Sequence, residues 1–180
     1  GKYTVPDDPA RKYTQYRISI DYGTLNPCSM GLWGLSGGVW YRFKEYYHSG
    51  RDTRRQLTDE EYYIELQRLT GDHPIRSVII DPSAASFIAA IRKHGRFTVL
   101  PANNTVVDGI RATAAAMQAG KVRICTGCTH TIAEFSAYRW DEKAAEDRPI
   151  KESDHAMDDI RYFVYTVLGS TGLGVVRLGR

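Results

Sequence analysis

Asp21, Asp81 and Asp158 stand where regular elements end or begin, the places from which side chains reach a substrate. Asp21 closes a stretch in which Tyr16, Ile18 and Ile20 alternate with Arg17 and Ser19. Asp81, followed by Pro82, closes the apolar run Val78-Ile79-Ile80, and Asp158 lies one turn inside a helical stripe near the end of the chain. At the ends of neighbouring strands in a sheet with crossover helices, polar groups converge on a crevice. Carboxylates brought together there repel one another and need a proton or a cation, and oxygen donors suit Mg²⁺ or Mn²⁺ better than zinc. His155, three residues before Asp158 on the same helical face, could complete such a site or orient a water. Turn formation and helix-dipole preferences account for the same acids equally well, so spacing alone leaves both readings open.

These residues need a scaffold, and the hydrophobic pattern supplies an α/β one. After the strand that ends at Asp21, residues 30–35 and 38–47 are β-prone, with Ser36-Gly37 as a tight-turn signal, which predicts an antiparallel meander. Thr58 followed by Asp59, Glu60 and Glu61 predicts a capped helix running to Gly71. Val78-Ile79-Ile80 lacks alternation, as a strand buried on both faces should. Helices over residues 83–93 and 106–118, short strands at 98–100 and 122–124, and a helix over 129–140 complete the alternating pattern. Residues 141–152 read as a charged loop, and Ser153 as the N-cap of a last helix with Met157, Ile160, Val164, Val167 and Leu168 as its apolar stripe. The first 15 residues show no periodicity and read as a linker or arm, with one domain over residues 16–180.

With 180 residues, 42% of them hydrophobic, the chain can bury one core but has little room for two. A balance of 24 basic against 21 acidic residues, net +3, permits a polyanionic partner without demanding one. No apolar run approaches the ~20 residues of a membrane span and no leader pattern opens the chain, so the sequence reads as soluble, cytoplasmic and without a membrane partner. Cys125 and Cys128 have the spacing of half a zinc site with only His130 to add, and read as structural or incidental thiols. No GxxxxGK[ST] phosphate loop is present, so no ATP-driven step can be assigned.

The order of four segments is more specific. ISIDYGT (18–24), VIIDPSA (78–84), VVDGIRATAAAMQAGKVRI (106–124) and PIKESDHAMDDIRYFVY (149–165) together resemble the nuclease domain of the large terminase subunit of tailed bacteriophages. The resemblance implies a ribonuclease H-like mixed sheet, an antiparallel meander followed by parallel strands, flanked by helices. It implies that Asp21, Asp81 and Asp158 hold two divalent ions, Mg²⁺ or Mn²⁺, with His155 at or beside them. In that family a small residue usually follows the last acid; here it is Asp159, a further candidate metal ligand. Asp108 falls in a matching segment and reads as a helix-cap or structural residue. The implied activity is metal-dependent endonucleolytic cutting of concatemeric viral DNA during genome packaging, with little sequence specificity.

Double-stranded DNA would then be the substrate, and Arg51, Arg54, Arg55, Arg92, Lys93 and Arg96 are the candidate phosphate contacts. The other implied partners are a terminase ATPase domain, the small terminase subunit and the portal, in the host cytoplasm. A start at Gly1 rather than Met fits the C-terminal part of a longer ATPase–nuclease chain. Three alternatives predict different behaviour. Asp21-Tyr22-Gly23-Thr24 is similar to the phosphate turn of actin and Hsp70-like ATPases, which need two lobes and a longer chain. A junction resolvase or transposase-type nuclease would prefer branched DNA, and a non-catalytic DNA-binding or assembly module would bind without cutting.

Overall fold

The computed structural model describes residues 2–137, 154–169 and 171–173. Alternating and continuous apolar runs form a seven-stranded mixed sheet. In chain order the strands are β1 (Thr4–Val5), β2 (Gln15–Asp21), β3 (Cys28–Ser36), β4 (Val39–His48), β5 (Ile75–Ile80), β6 (Val99–Pro101) and β7 (Val122–Cys125). Their spatial order is β1-β7-β4-β3-β2-β5-β6. The meander β2-β3-β4 lies at the centre, antiparallel throughout, while β5 pairs parallel with β2 and β7 pairs parallel with β4. The β3–β4 hairpin turns at Gly37-Gly38, one residue later than the sequence signal placed it. Both glycines have positive φ, 57° and 77°, as a tight two-residue hairpin loop requires.

The described residues form six helices: α1 (Gly50–Thr53), α2 (Asp59–Thr70), α3 (Ala85–His94), α4 (Val107–Gln118), α5 (Thr129–Ala137) and α6 (His155–Val167). Thr58 and Glu61 cap α2 reciprocally, as the T-x-x-E spacing predicts. On one face Ile18, Ile20, Met30 and Leu32 pack against Tyr62 and Leu66 of α2 and Phe87 and Ile91 of α3. On the other, Trp33, Trp40, Ile79 and Val122 meet Ala112 and Ala116 of α4 and Ile160, Phe163 and Val164 of α6. Phe163 stacks on Trp33 with ring centroids 4.0 Å apart.

The first 15 residues are not a free arm: Thr4 and Val5 pair with Ile124 and Cys125 and add an edge strand to β7. Cys125 and Cys128 form no zinc half-site. The Cys128 thiol donates to the Arg42 carbonyl at 3.3 Å, Arg11 donates to the Cys125 sulfur at 3.8 Å, and all three cysteines are free and buried. Ser153, the expected cap of the last helix, and the charged run 141–152 lie outside the described residues. Among those described, no helix is long and apolar enough to cross a membrane.

Candidate metal centre

Parallel pairing sets the site. Ile20 of β2 lies opposite Ile80 of β5, so the next residue on each strand, Asp21 and Asp81, ends its strand beside the other. Helix α6 packs across β2, β3 and β5 and brings His155 and Asp158 to the same strand ends. His155 Nδ1 lies 3.0 Å from Asp21 Oδ2. Arg161, one turn on, reaches back to Asp158 Oδ1 at 3.2 Å.

The electrostatics of these groups differ in an informative way. Burial pushes the Asp21 carboxyl up to about 6, against the His155 hydrogen bond and with repulsion from Asp158. Burial and Asp154 likewise raise Asp158, while Arg161 and His155 oppose the rise. His155 is raised chiefly by its hydrogen bond to Asp21. Asp81 goes the other way: burial disfavours its charge, but the donors Ser83, Asn104 and Tyr162 outweigh burial and hold it below the usual range. The Ser83 amide donates to Asp81 Oδ1 at 2.8 Å, and the Asn104 amide reaches both oxygens at 3.5 and 3.4 Å. Tyr162, one turn after Asp158, has its ionisation pushed far up by burial and then by Asp21, Asp158 and Asp81, which places its hydroxyl within the field of all three acids.

Buried negative charge with incomplete compensation, presented by hard oxygen donors, fits a divalent cation. Among the described residues no three His, Cys, Asp or Glu side chains already converge as a metal cage. Asp21 is engaged by His155, Asp158 by Arg161 and Asp81 by Asn104, so an ion held by these acids would compete with those partners.

Asp159 is not part of this group. It is fully buried, its oxygens accept from Ser19 Oγ at 2.7 Å and Ser29 Oγ at 2.5 Å, and Arg42, itself wholly buried, donates to both of them. Gly31 leaves the space that Arg42 fills, because a Cβ there would collide with the guanidinium. One helix therefore holds two adjacent acids with opposite duties, Asp158 turned to the strand ends and Asp159 to the sheet interior, about 100° apart around the axis.

The chain matches no family model. The large terminase of a thermophilic bacteriophage, solved in complex with ADP, is 48% identical to it and superposes with a TM-score of 0.87, over 93% of this chain and 42% of that one. The large terminase subunit of Escherichia phage T5 is 23% identical over 83% of this chain and 35% of its own length. The large terminase nuclease domain from bacteriophage SPP1, solved with bound Mn, is 15% identical and matches 89% of this chain and 94% of its own, with a TM-score of 0.64. The fold is that of a large-terminase nuclease domain. The chain thus spans less than half the length of the full large terminases it matches, and the ribonuclease H-like sheet expected from the four motifs is the sheet observed.

Within that nuclease fold the candidate DNA contacts divide. Arg51 and Arg54 follow β4, whose end at His48 pairs with Cys28 beside the Asp21–Ser29 pair, so they lie at the acidic end of the sheet. The Arg51 amide also donates to the Leu25 carbonyl of the β2–β3 loop at 3.1 Å. Arg55 is paired with Glu61 at 2.6 Å. Arg92, Lys93 and Arg96 are at the other end: α3, ~15 Å long over its ten residues, leaves the Asp81 loop, carries Arg92 and Lys93 in its last turn and ends two residues before Arg96. Arg96 there donates to the Gly71 carbonyl, ahead of β5, at 2.8 Å. Asp108 is exposed in the first turn of α4, away from any described bond to the cluster.

Four residues around the acids were not singled out as site residues in the sequence: Arg161 and Tyr162, which lie in the 149–165 segment, and Asn104 and Glu134, which lie in none of the four segments. Arg161 donates to the Asn104 and Thr105 carbonyls at 2.9 and 3.0 Å as well as to Asp158, tying the loop that carries Asn104 to α6. Spacings of three and four from Asp158 were the available signal for Arg161 and Tyr162. Asn104 and Glu134 arrive through long-range packing and left none.

Proposed function

We propose that this chain hydrolyses DNA phosphodiester bonds endonucleolytically with two divalent ions, Mg²⁺ or Mn²⁺, as the nuclease part of a longer large terminase that cuts concatemeric viral DNA during packaging in the host cytoplasm. The observation that carries the reading is the juxtaposition of Asp21 and Asp81 on neighbouring strand ends with Asp158 on α6, where burial leaves the charges of Asp21 and Asp158 undercompensated and hydrogen-bond donors hold Asp81 ionised. Asp21, Asp81 and Asp158 would hold the ions, with His155 at or beside them. Bound there, two such ions supply activation of the attacking water and stabilisation of the leaving 3′ oxygen. The protein's own share is orientation: Asn104 and Ser83 fix the Asp81 carboxylate, and His155 fixes Asp21. Arg161 donates to Asp158 and partly offsets its charge, a contact that a cation held there would have to displace. No groove-reading motif accompanies the site, so binding rests on phosphate contacts from Arg51 and Arg54 and has little sequence preference. The ATPase domain, the small subunit and the portal are the proposed partners.

The test is nicking and linearisation of supercoiled plasmid with Mn²⁺, Mg²⁺ or EDTA, beside Asp81→Ala. The expected result is cutting that needs metal and is lost in the variant. Equal cutting by both proteins, or cutting that EDTA leaves intact, overturns the reading.

A further inference from the structure

Any α-helix begins with four backbone N–H groups that lack partners inside the helix, and a side chain at the N-cap normally supplies the first of them. Helix α6 breaks that pattern. Asp154, a residue type well suited to the task, stands at its N-cap and makes no side-chain cap bond. The amides of Ala156 and Met157 instead donate to one oxygen of Glu134 on α5, at 2.8 and 3.1 Å. Those two amides belong to the residues between His155 and Asp158. A carboxylate from a different helix therefore grips the stretch of backbone that carries both side chains.

The arrangement is costly, which argues against accident. Glu134 is 5% exposed and its second oxygen is buried with no hydrogen-bond partner. Leaving a buried acceptor unmatched is unfavourable, and a local cap would have avoided it. Glu134 is in turn held in place from below. Glu45 of β4 accepts from the His130 and Thr131 amides at 2.6 and 3.1 Å and so caps α5 as Glu134 caps α6. Arg42 binds Thr131 Oγ1 at 3.0 Å and, on the far side, Asp159 of α6. The bonds from Asp159 fix how α6 is turned about its axis, and the bonds from Glu134 fix where along that axis it starts.

We infer that Glu134 is a positioning residue for the metal centre: through the Ala156 and Met157 amides it sets the register of α6, so that His155 meets Asp21 and Asp158 faces the two strand ends. The inference rests on the metal-site reading above. Outer residues that orient ligands typically change metal affinity by 10- to 100-fold when removed, and a loosened helix start is that kind of loss.

The experiment compares wild type, Glu134→Gln, Glu134→Ala and Glu134→Asp by Mn²⁺ binding, using calorimetry or the free-ion electron paramagnetic resonance signal, at a temperature where circular dichroism shows each to be folded. The amide oxygen of Gln still accepts both N–H groups, so Glu134→Gln should bind Mn²⁺ within about threefold of wild type. Glu134→Ala should bind at least about tenfold more weakly. Should the Ala variant not fold, Glu134→Asp carries the test, because it keeps the carboxyl group and shortens the reach, and it should also bind about tenfold more weakly. A residue serving stability alone would lower the melting temperature in Ala or Asp and leave the affinity of the folded protein untouched; that result overturns the inference while the metal site stands. Absence of Mn²⁺ binding by wild type overturns both.

Discussion

Replacing Asp21 by Asn should make the metal-free protein more stable and the metal-loaded protein less so. In the folded chain the Asp21 carboxyl is pushed up to about 6 from an ordinary 3.8, mainly by burial, and that value already includes the attraction of His155. At 1.36 kcal/mol per unit, a rise of about 2 units means that ionised Asp21 costs the native state about 3 kcal/mol. Because the folded group binds its proton more tightly than the unfolded one, the cost is absent below about pH 4 and complete above about pH 6. His155 acts in the opposite sense: raised by Asp21, its charge adds stability below its ordinary value that fades as pH climbs through the raised one. An amide resembles the protonated carboxyl, so Asp21→Asn should gain up to about 3 kcal/mol at pH 7.5, on the order of 6 to 12 °C in melting temperature for a chain of this length. The assay is thermal unfolding by circular dichroism in EDTA at pH 7.5 and 4.5. Mn²⁺ at 1,000 times its Kd should reverse the ranking at pH 7.5, since it adds about 4.1 kcal/mol only to the protein that binds it. A variant that melts no higher than wild type in EDTA at pH 7.5, or a difference equally large at pH 4.5, refutes the reasoning.

Asp159→Ala strands the fully buried Arg42 without its counter-charge and should cost about 3–5 kcal/mol in urea unfolding, whereas the double change Arg42→Met, Asp159→Leu should recover most of that loss. Removing a phosphate contact lowers the salt slope of DNA binding by about one per residue. Filter binding over a salt series should therefore show that change for Arg51→Ala and Arg54→Ala, and none for Arg92→Ala, Lys93→Ala or Arg96→Ala at the far end of the sheet.

What could be read in advance was what local pattern encodes. Alternation through Tyr16, Ile18 and Ile20 and the unbroken Val78-Ile79-Ile80 gave two strand ends, and with them the places of Asp21 and Asp81. The spacing of His155, Asp158 and the α6 stripe gave the face of the last helix. Contacts between segments distant in sequence were not legible. Glu134 is 22 residues from the amide it caps, and Asn104 is 23 from Asp81; neither separation has a periodic signature. Thr4 and Val5 form a strand too short to alternate. The basic residues at the far end of the sheet are a different case. A ten-residue helix that starts beside Asp81 must end far from it, so the separation of Arg92 and Lys93 from the acids followed from helix length alone.

The two-residue strand β1 has a consequence out of proportion to its length. Through the bonds from the Ile124 and Thr126 amides to the Tyr3 and Val5 carbonyls, at 3.1 and 2.9 Å, it occupies the row of hydrogen-bonding groups that β7 would otherwise show to solvent. At the opposite margin β6 is only three residues long and ends in Pro101, which has no N–H to offer. Both borders of the sheet are thus closed to strand-by-strand growth, one by a short clasp and one by a proline. Proteolytic trimming that removes Tyr3 to Val5 would open the first border, and its signature would be self-association of otherwise folded molecules.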